Sequence, residues 1–229
     1  MPETRQAFHE ELSELESQAL AGLDMVVTQL ERAMEALSEQ DVELAAMVIA
    51  DDDRIDGRYL EVHQGILSLL ARQAPVATDL RVVAAVLDVI KHVERMGDQC
   101  VNIAKTIPLT GHEPPVVPEL LATLQEMGRH VVAIVEQSKK AFAGRNVELA
   151  EDLVSRDDAV NRMQREAFKI ALEAGTDQDT REWAMMMLFV ARALERIGDN
   201  AVDIGEQTAF IVTGLFREFT DASHPAVTS

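Results

Sequence analysis

A five-residue motif occurs twice in the chain. Glu94-Arg95-Met96-Gly97-Asp98 returns 101 positions later as Glu195-Arg196-Ile197-Gly198-Asp199. Upstream, Val42-Glu43-Leu44-Ala45 returns as Val147-Glu148-Leu149-Ala150, an offset of 105, and the same offset carries Asp52-Asp53 onto Asp157-Asp158. It also carries Leu15, Val26 and Leu30 onto Leu120, Val131 and Val135. Internal self-similarity of this kind marks a duplicated structural unit. The fall in offset from 105 to 101 makes the second copy four residues shorter between its second and third elements.

The apolar spacing says what the unit is. Phe8, Leu12, Leu15, Ala19, Gly22, Val26, Leu30, Ala33 and Leu37 follow one another at steps of three and four, the period of one helix face. Leu120, Leu124, Met127, Val131, Ile134, Ser138 and Ala141 repeat that seam in the second copy. Asp41 and Asn146 are placed to cap the next helices, which are expected to run to about Arg72 and Ala174. Third helices are expected from about Thr78 to Ile107 and from about Asp177 to Arg217. Four of the seven prolines, Pro108, Pro114, Pro115 and Pro118, crowd into one segment with Gly111 and mark a linker. The expected fold is therefore all-α: residues 1–107 form one three-helix bundle, 108–118 the linker and 119–217 a second bundle. Residues 218–229 read as a frayed tail. Apolar residues at 47% with only 4% aromatics agree with packed helices rather than a β-sandwich.

Forty acidic residues against 21 basic ones leave a formal charge of −19. That charge repels nucleic-acid phosphates and anionic lipid alike. Cys100 is the one cysteine, which excludes an internal disulfide and a multi-cysteine zinc site. The N-terminus carries no apolar signal core, and the longest apolar run, Trp183 to Ala191, is far short of the roughly 20 residues that span a bilayer. The expectation is a cytoplasmic protein without membrane insertion.

The repeated acids are the candidate chemistry. Glu94, Asp98 and Asn102 fall at i, i+4 and i+8, one stripe on a helix, and Glu195, Asp199 and Asp203 form its counterpart. Asp52 interrupts the apolar row Val48, Ile55, Tyr59, with Asp56 one turn on, and Asp157 interrupts Leu153, Val160, Ala167, with Asn161 one turn on. Carboxylates on a core-facing row need partners. Two partners are open: arginines (Arg95, Arg196, Arg54 or Arg81), or a hard to borderline cation such as Mg²⁺, Mn²⁺ or Fe held by oxygen ligands. Mid-helix Gly97 and Gly198 point to a close helix approach, and Met185-Met186-Met187 and Cys100 to core packing. No Glu-x-x-His occurs, which counts against a di-iron carboxylate oxidase. No phosphate-binding glycine loop or nucleophile elbow is present, so the sequence points to no enzyme class.

With these motifs the chain resembles the PhoU family of bacterial phosphate-signalling proteins over about Arg5 to Arg217. Arg72-Gln73-Ala74-Pro75-Val76-Ala77-Thr78-Asp79-Leu80-Arg81 resembles that family's Gln-x-Pro-x-x-x-Asp-Leu-Arg entry to the third helix. The resemblance implies a non-enzymatic adaptor that acts when phosphate is plentiful. Such a protein links the ATPase of the high-affinity phosphate ABC transporter to a sensor histidine kinase and keeps the starvation response off. It also implies ions (iron, zinc or others) at Asp52/Asp56, Glu94/Asp98, Asp157/Asn161 and Glu195/Asp199. Asn161 departs from the pattern by being neutral, and Asp203 by standing where the family has Asn. An apolar seam left open on a three-helix bundle favours a homodimer. A metal-buffering bundle and an inert helical scaffold are the alternatives from other classes.

Overall fold

The computed structural model describes residues 2–111, 113–175 and 177–219. Six helices carry the chain: α1 (Pro2–Glu39), α2 (Val42–Arg72), α3 (Ala77–Thr106), α4 (Pro118–Gly144), α5 (Val147–Glu173) and α6 (Gln178–Thr213). No strand occurs among the described residues. Helices α1–α3 pack on one another as one bundle and α4–α6 as the other.

The turns repeat as the sequence does. Gln40 (φ 54°) and Arg145 (φ 51°) adopt left-handed backbone, which reverses the chain at equivalent points of the two copies. The next residues then cap the following helix: Asp41 accepts the N–H of Leu44 at 2.9 Å, and Asn146 that of Leu149 at 3.0 Å. Asp177 caps α6 in the same way through Thr180. Pro118 opens α4, where a missing N–H costs nothing. The linker begins as a short 3-10 turn, Ile107–Thr110.

The sixth helix ends at Thr213, not at the expected Arg217. Gly214 takes φ 74° and returns its N–H to Phe210 at 2.8 Å, a left-handed stop that apolar spacing alone does not reveal. Residues 220–229, read as a frayed tail, lie outside the described residues. The methionine run is only partly core: Met187 is buried, whereas Met185 is exposed. Cys100 is buried, as expected.

The bundles join mainly through α3 against α6, with α1 against α4 beside it. Arg81 lies against Gly214, and His92 against Asn200 and Asp203, so α3 and α6 run antiparallel. Lys139–Asp24 and Arg145–Glu16 tie α4 to α1. One continuous apolar cluster runs through both bundles, from Leu23, Ile55 and Met96 to Phe142, Leu153 and Ile197. Among the described residues, no helix is long and apolar enough to cross a membrane.

Candidate functional site

The two repeated motifs meet. A Cβ placed on Gly97 of α3 would lie 2.9 Å from Asp52 Oδ1 of α2, and one on Gly198 of α6 would lie 2.5 Å from Asp157 Oδ1 of α5. Real Cβ atoms do not approach so closely. Each glycine therefore makes the space into which an aspartate on the neighbouring helix fits. The close approach expected at these glycines is thus an approach by a carboxylate.

In the first bundle, Asp52 and Glu94 lie close enough to Asp56 and Asp98 to be raised by them. Burial pushes the Asp52 carboxyl above its ordinary range, a hydrogen bond from Gln29 Nε2 (3.2 Å to Oδ1) opposes this, and Asp56 and Asp98 push it further up. Burial also raises Glu94, followed by Asp98 and Asp56. Asn102 is exposed and donates to Gln99 at 3.4 Å. It is not brought into the cluster by any interaction described.

The second bundle is deeper and differently neutralised. Asp157 is only 2% exposed, and Asn161 Nδ2 donates to its Oδ2 at 2.8 Å. The neutral side chain that departed from the acidic pattern therefore satisfies a buried acid. Glu195 is 8% exposed; Arg192 donates to its Oε1, while its Oε2 has no hydrogen-bond partner among the described residues. Burial raises the Glu195 carboxyl, and Asp199 raises it further. Asp203 lies at the joint between bundles, with His92 Nδ1 3.5 Å from its Oδ2. Burial raises it, against the lowering influence of His92 and Arg95.

Two of the arginines proposed as neutralisers act on the acids through their charge: Arg95 lowers Glu94 and Asp203, and Arg196 lowers Glu195. Arg81 rests on Gly214 instead. Arg192, a turn before Glu195, pairs directly with it.

A cavity of about 660 Å³ opens between α5 and α6 over these residues. Asp157, Asp158, Glu195, Asp199 and Asp203 line it, and so do two acids not singled out from sequence, Glu206 and Glu218. Glu206 is pushed up to about 7, first by burial and then by Asp203 and Glu218, although the Phe219 N–H donates to its Oε1 at 2.5 Å. A signal for it did exist, because the 101-residue offset sets Glu206 against Lys105 in the first copy. Arg165 and Arg192 stand on the same cavity wall.

Oxygen donors of this kind suit hard cations. However, no three His, Cys, Asp or Glu side chains among the described residues converge on one point that could hold a metal ion. The donors fit a hydrated ion that rests on one or two carboxylates better than a closed cage of three or four ligands.

Known proteins share both the duplication and the shape. The PhoU domain matches the chain twice, over residues 22–107 and 124–208. The chain belongs to the PhoU family. The phosphate-specific transport system accessory protein PhoU homolog of Clostridium acetobutylicum is 32% identical over 220 residues, covering 95% of this chain and 100% of that protein. PhoU homolog 1 of Mycobacterium leprae is 31% identical, covering 93% and 96%. The crystal structure of the phosphate transport system regulatory protein PhoU from Streptococcus pneumoniae superposes with a TM-score of 0.84 at 26% identity, covering 92% of this chain and 99% of that one. PhoU from Pseudomonas aeruginosa gives 0.82 at 28% identity, covering 91% and 100%. The PhoU fold is thus shared from end to end, so the tandem bundle is the whole architecture of these relatives as well.

Proposed function

We propose that this chain is a non-enzymatic accessory protein of phosphate transport that works as an adaptor. In this reading it couples the ATPase of a high-affinity phosphate ABC transporter to a sensor histidine kinase in the cytoplasm. It holds the phosphate-starvation response off while phosphate is plentiful, and acts as a homodimer. The observation that carries the reading is end-to-end similarity to relatives named as phosphate-specific transport system accessory proteins. The physical character of the chain supports it. Long helices such as α3 offer extended faces to partner proteins, and a charge of −19 favours basic surfaces over free phosphate. The test is a tagged pull-down from phosphate-replete cells, with starved cells as control. Enrichment of a sensor kinase or the transporter ATPase in the replete sample is expected; recovery of neither overturns the adaptor.

A second reading, a metal-binding bundle, draws on the raised carboxyls of Asp52, Glu94 and Glu195, whose burial and repulsion by neighbouring acids of their own bundle a divalent ion would offset. Its ligands would come from Asp52, Asp56, Glu94 and Asp98 in one bundle, and from Asp157, Glu195, Asp199 and Asp203 in the other. Elemental analysis of the purified chain tests it. Metal content unchanged in a Glu94→Ala, Glu195→Ala double variant removes these residues as ligands.

A further inference from the structure

Helix α2 packs on α1 and α3 and turns its remaining side away from the molecule. That side is a row in which steps of four and three alternate without a break: Ala46, Ala50, Gly57, Leu60, Leu67 and Ala71, with Asp53 and Gln64 as its polar members. Such spacing is the seam of a contact between two helices. Gly57 is half-buried and the others are exposed, Leu60 and Leu67 by 53% and 52%. A chain with a formal charge of −19 therefore carries a helix face, about 38 Å long by helical rise, with one charge on it.

The duplication supplies the comparison. The 105-residue offset carries this row onto α5, where it holds Glu151, Asp158, Arg162, Arg165 and Lys169, an ordinary solvated face. Single exposed leucines occur on both bundles, and what sets α2 apart is a whole row nearly without charge. Gly57 stands where α5 has Arg162, and nothing lies within 4 Å of a Cβ placed there. A mid-helix glycine costs about 1 kcal/mol relative to alanine. At Gly97 and Gly198 an aspartate of the neighbouring helix accounts for it, whereas at Gly57 the space is open to a helix that approaches from outside.

The row is complementary to its own reverse. When a second α2 lies antiparallel with its Leu60 opposite Gly57, Ala50 falls opposite Leu67, Ala46 opposite Ala71, and Asp53 opposite the amide of Gln64. Small residues then meet large ones, and each contact occurs twice, as a two-fold interface requires. The edge of the row agrees. Arg54 and Glu61 lie two turns apart on the same edge, and this register brings Arg54 of each copy to within about 3 Å, along the axis, of the level of Glu61 in the other. Within its own chain Glu61 meets Arg58 at 3.4 Å, an exposed pair that contributes little.

We infer that the outward face of α2 binds α2 of a second copy of this chain, antiparallel, about a two-fold axis between Gly57 and Leu60. This rests on the homodimer of the proposed function and adds to it the face and the register. Charge selects the occupant. Two chains of −19 repel each other over most of their surfaces, but here each presents one acid on the row and, at its edge, an arginine and a glutamate that match those of the other. One helix pair of this length is a small interface, so the dimer is expected to dissociate on dilution.

Sedimentation velocity of the full chain over a range of concentrations is the test. Leu67→Glu is expected to raise the dimer dissociation constant about tenfold, or about 1.4 kcal/mol. Leu172→Glu, the same change at the matching position of α5, is expected to leave it unchanged. Both leucines are exposed, and circular dichroism confirms that both variants fold. An equal loss in the two would mean diffuse repulsion between acidic chains and would overturn the assignment. Charge reversal reads the register: Arg54→Glu and Glu61→Arg are each expected to weaken the dimer, and the two together to restore it. Diffuse repulsion predicts the opposite sign for Glu61→Arg, which lowers the net charge. A double variant no tighter than either single one would overturn the antiparallel pairing. A parent dimer indifferent to Leu67→Glu would overturn the face and leave the homodimer standing, whereas a parent that is monomeric at every concentration would overturn both. Neither result bears on the pull-down, which reads partners of another kind.

Discussion

At the scale of single residues, burial opposes the ionisation of Glu195, Asp203 and Glu206 in the second bundle. Glu206 makes this measurable. Its folded carboxyl titrates near 7, whereas an unfolded glutamate titrates near 4.5, so the folded chain keeps a proton that the unfolded chain has released. Between those values the folded state binds more protons. Stability therefore falls as pH rises from about 4.5 to about 7 and then levels off. Glu206→Gln keeps the acceptor for the Phe219 N–H and removes the titration. It is expected to melt about 2–4 °C above the parent at pH 8, about 1 kcal/mol after allowing for solvent screening, with the gap closing by pH 4.5. A constant gap across that range in thermal melts would show that Glu206 is not the titrating group.

Two glycines give opposite expectations. Nothing lies within 4 Å of a Cβ on Gly57 of α2, so Gly57→Ala should stabilise the helix by up to about 1 kcal/mol. The same change at Gly198 sets a methyl group 2.5 Å from the carboxylate of Asp157, which is walled in and cannot swing aside. Overpacking of this sort costs about 1–3 kcal/mol, which outweighs the helical gain. Urea titrations should move the midpoint up for Gly57→Ala and down for Gly198→Ala. Sequence alone marked Gly97 and Gly198 as sites of close approach. It did not reveal that Asp52 and Asp157 were what approached them, because that meeting depends on how far each helix pair slides before the α2–α3 and α5–α6 turns.

At the scale of helices, the duplicated pattern was legible because each signal is local. Apolar steps of three and four gave the helices, the Asp41 and Asn146 caps gave two of their starts, and the proline cluster gave the break between bundles. The end of α6 was not legible: apolar and helix-compatible residues continue past Gly214, and only its left-handed backbone stops the helix. The pairing of Asp203 with His92 lies beyond local signals altogether, since it depends on the register of α3 against α6. A cap is a local device and should be local in its effect. Asn146→Ala removes the acceptor for the Leu149 N–H at the start of α5 and should cost about 1 kcal/mol. Asn146→Asp, which keeps an acceptor oxygen, should restore most of it in the same denaturant titration.

At the scale of the molecule, the question is whether the two copies behave as two proteins or one. Each bundle has its own three helices and its own turns, and duplication alone would allow independent unfolding. The joint argues otherwise. Helices α3 and α6 each face both their own bundle and the other, so the apolar cluster has no seam along which the bundles could part without exposing the core. Separation would also strip His92 from Asn200, 2.7 Å away, and break Lys139–Asp24 and Arg145–Glu16 between α4 and α1. The chain carries its own probes, because its single tyrosine, Tyr59, is in the first bundle and its single tryptophan, Trp183, in the second. Tyr59 absorbance and Trp183 fluorescence should therefore trace the same urea midpoint. His92→Ala, which leaves Asn200 without that contact at the joint, should lower both midpoints together, by about 1–3 kcal/mol in stability. Midpoints that separate, with Trp183 and Tyr59 reporting different transitions, would mean that the joint is an interface between two domains rather than part of one core.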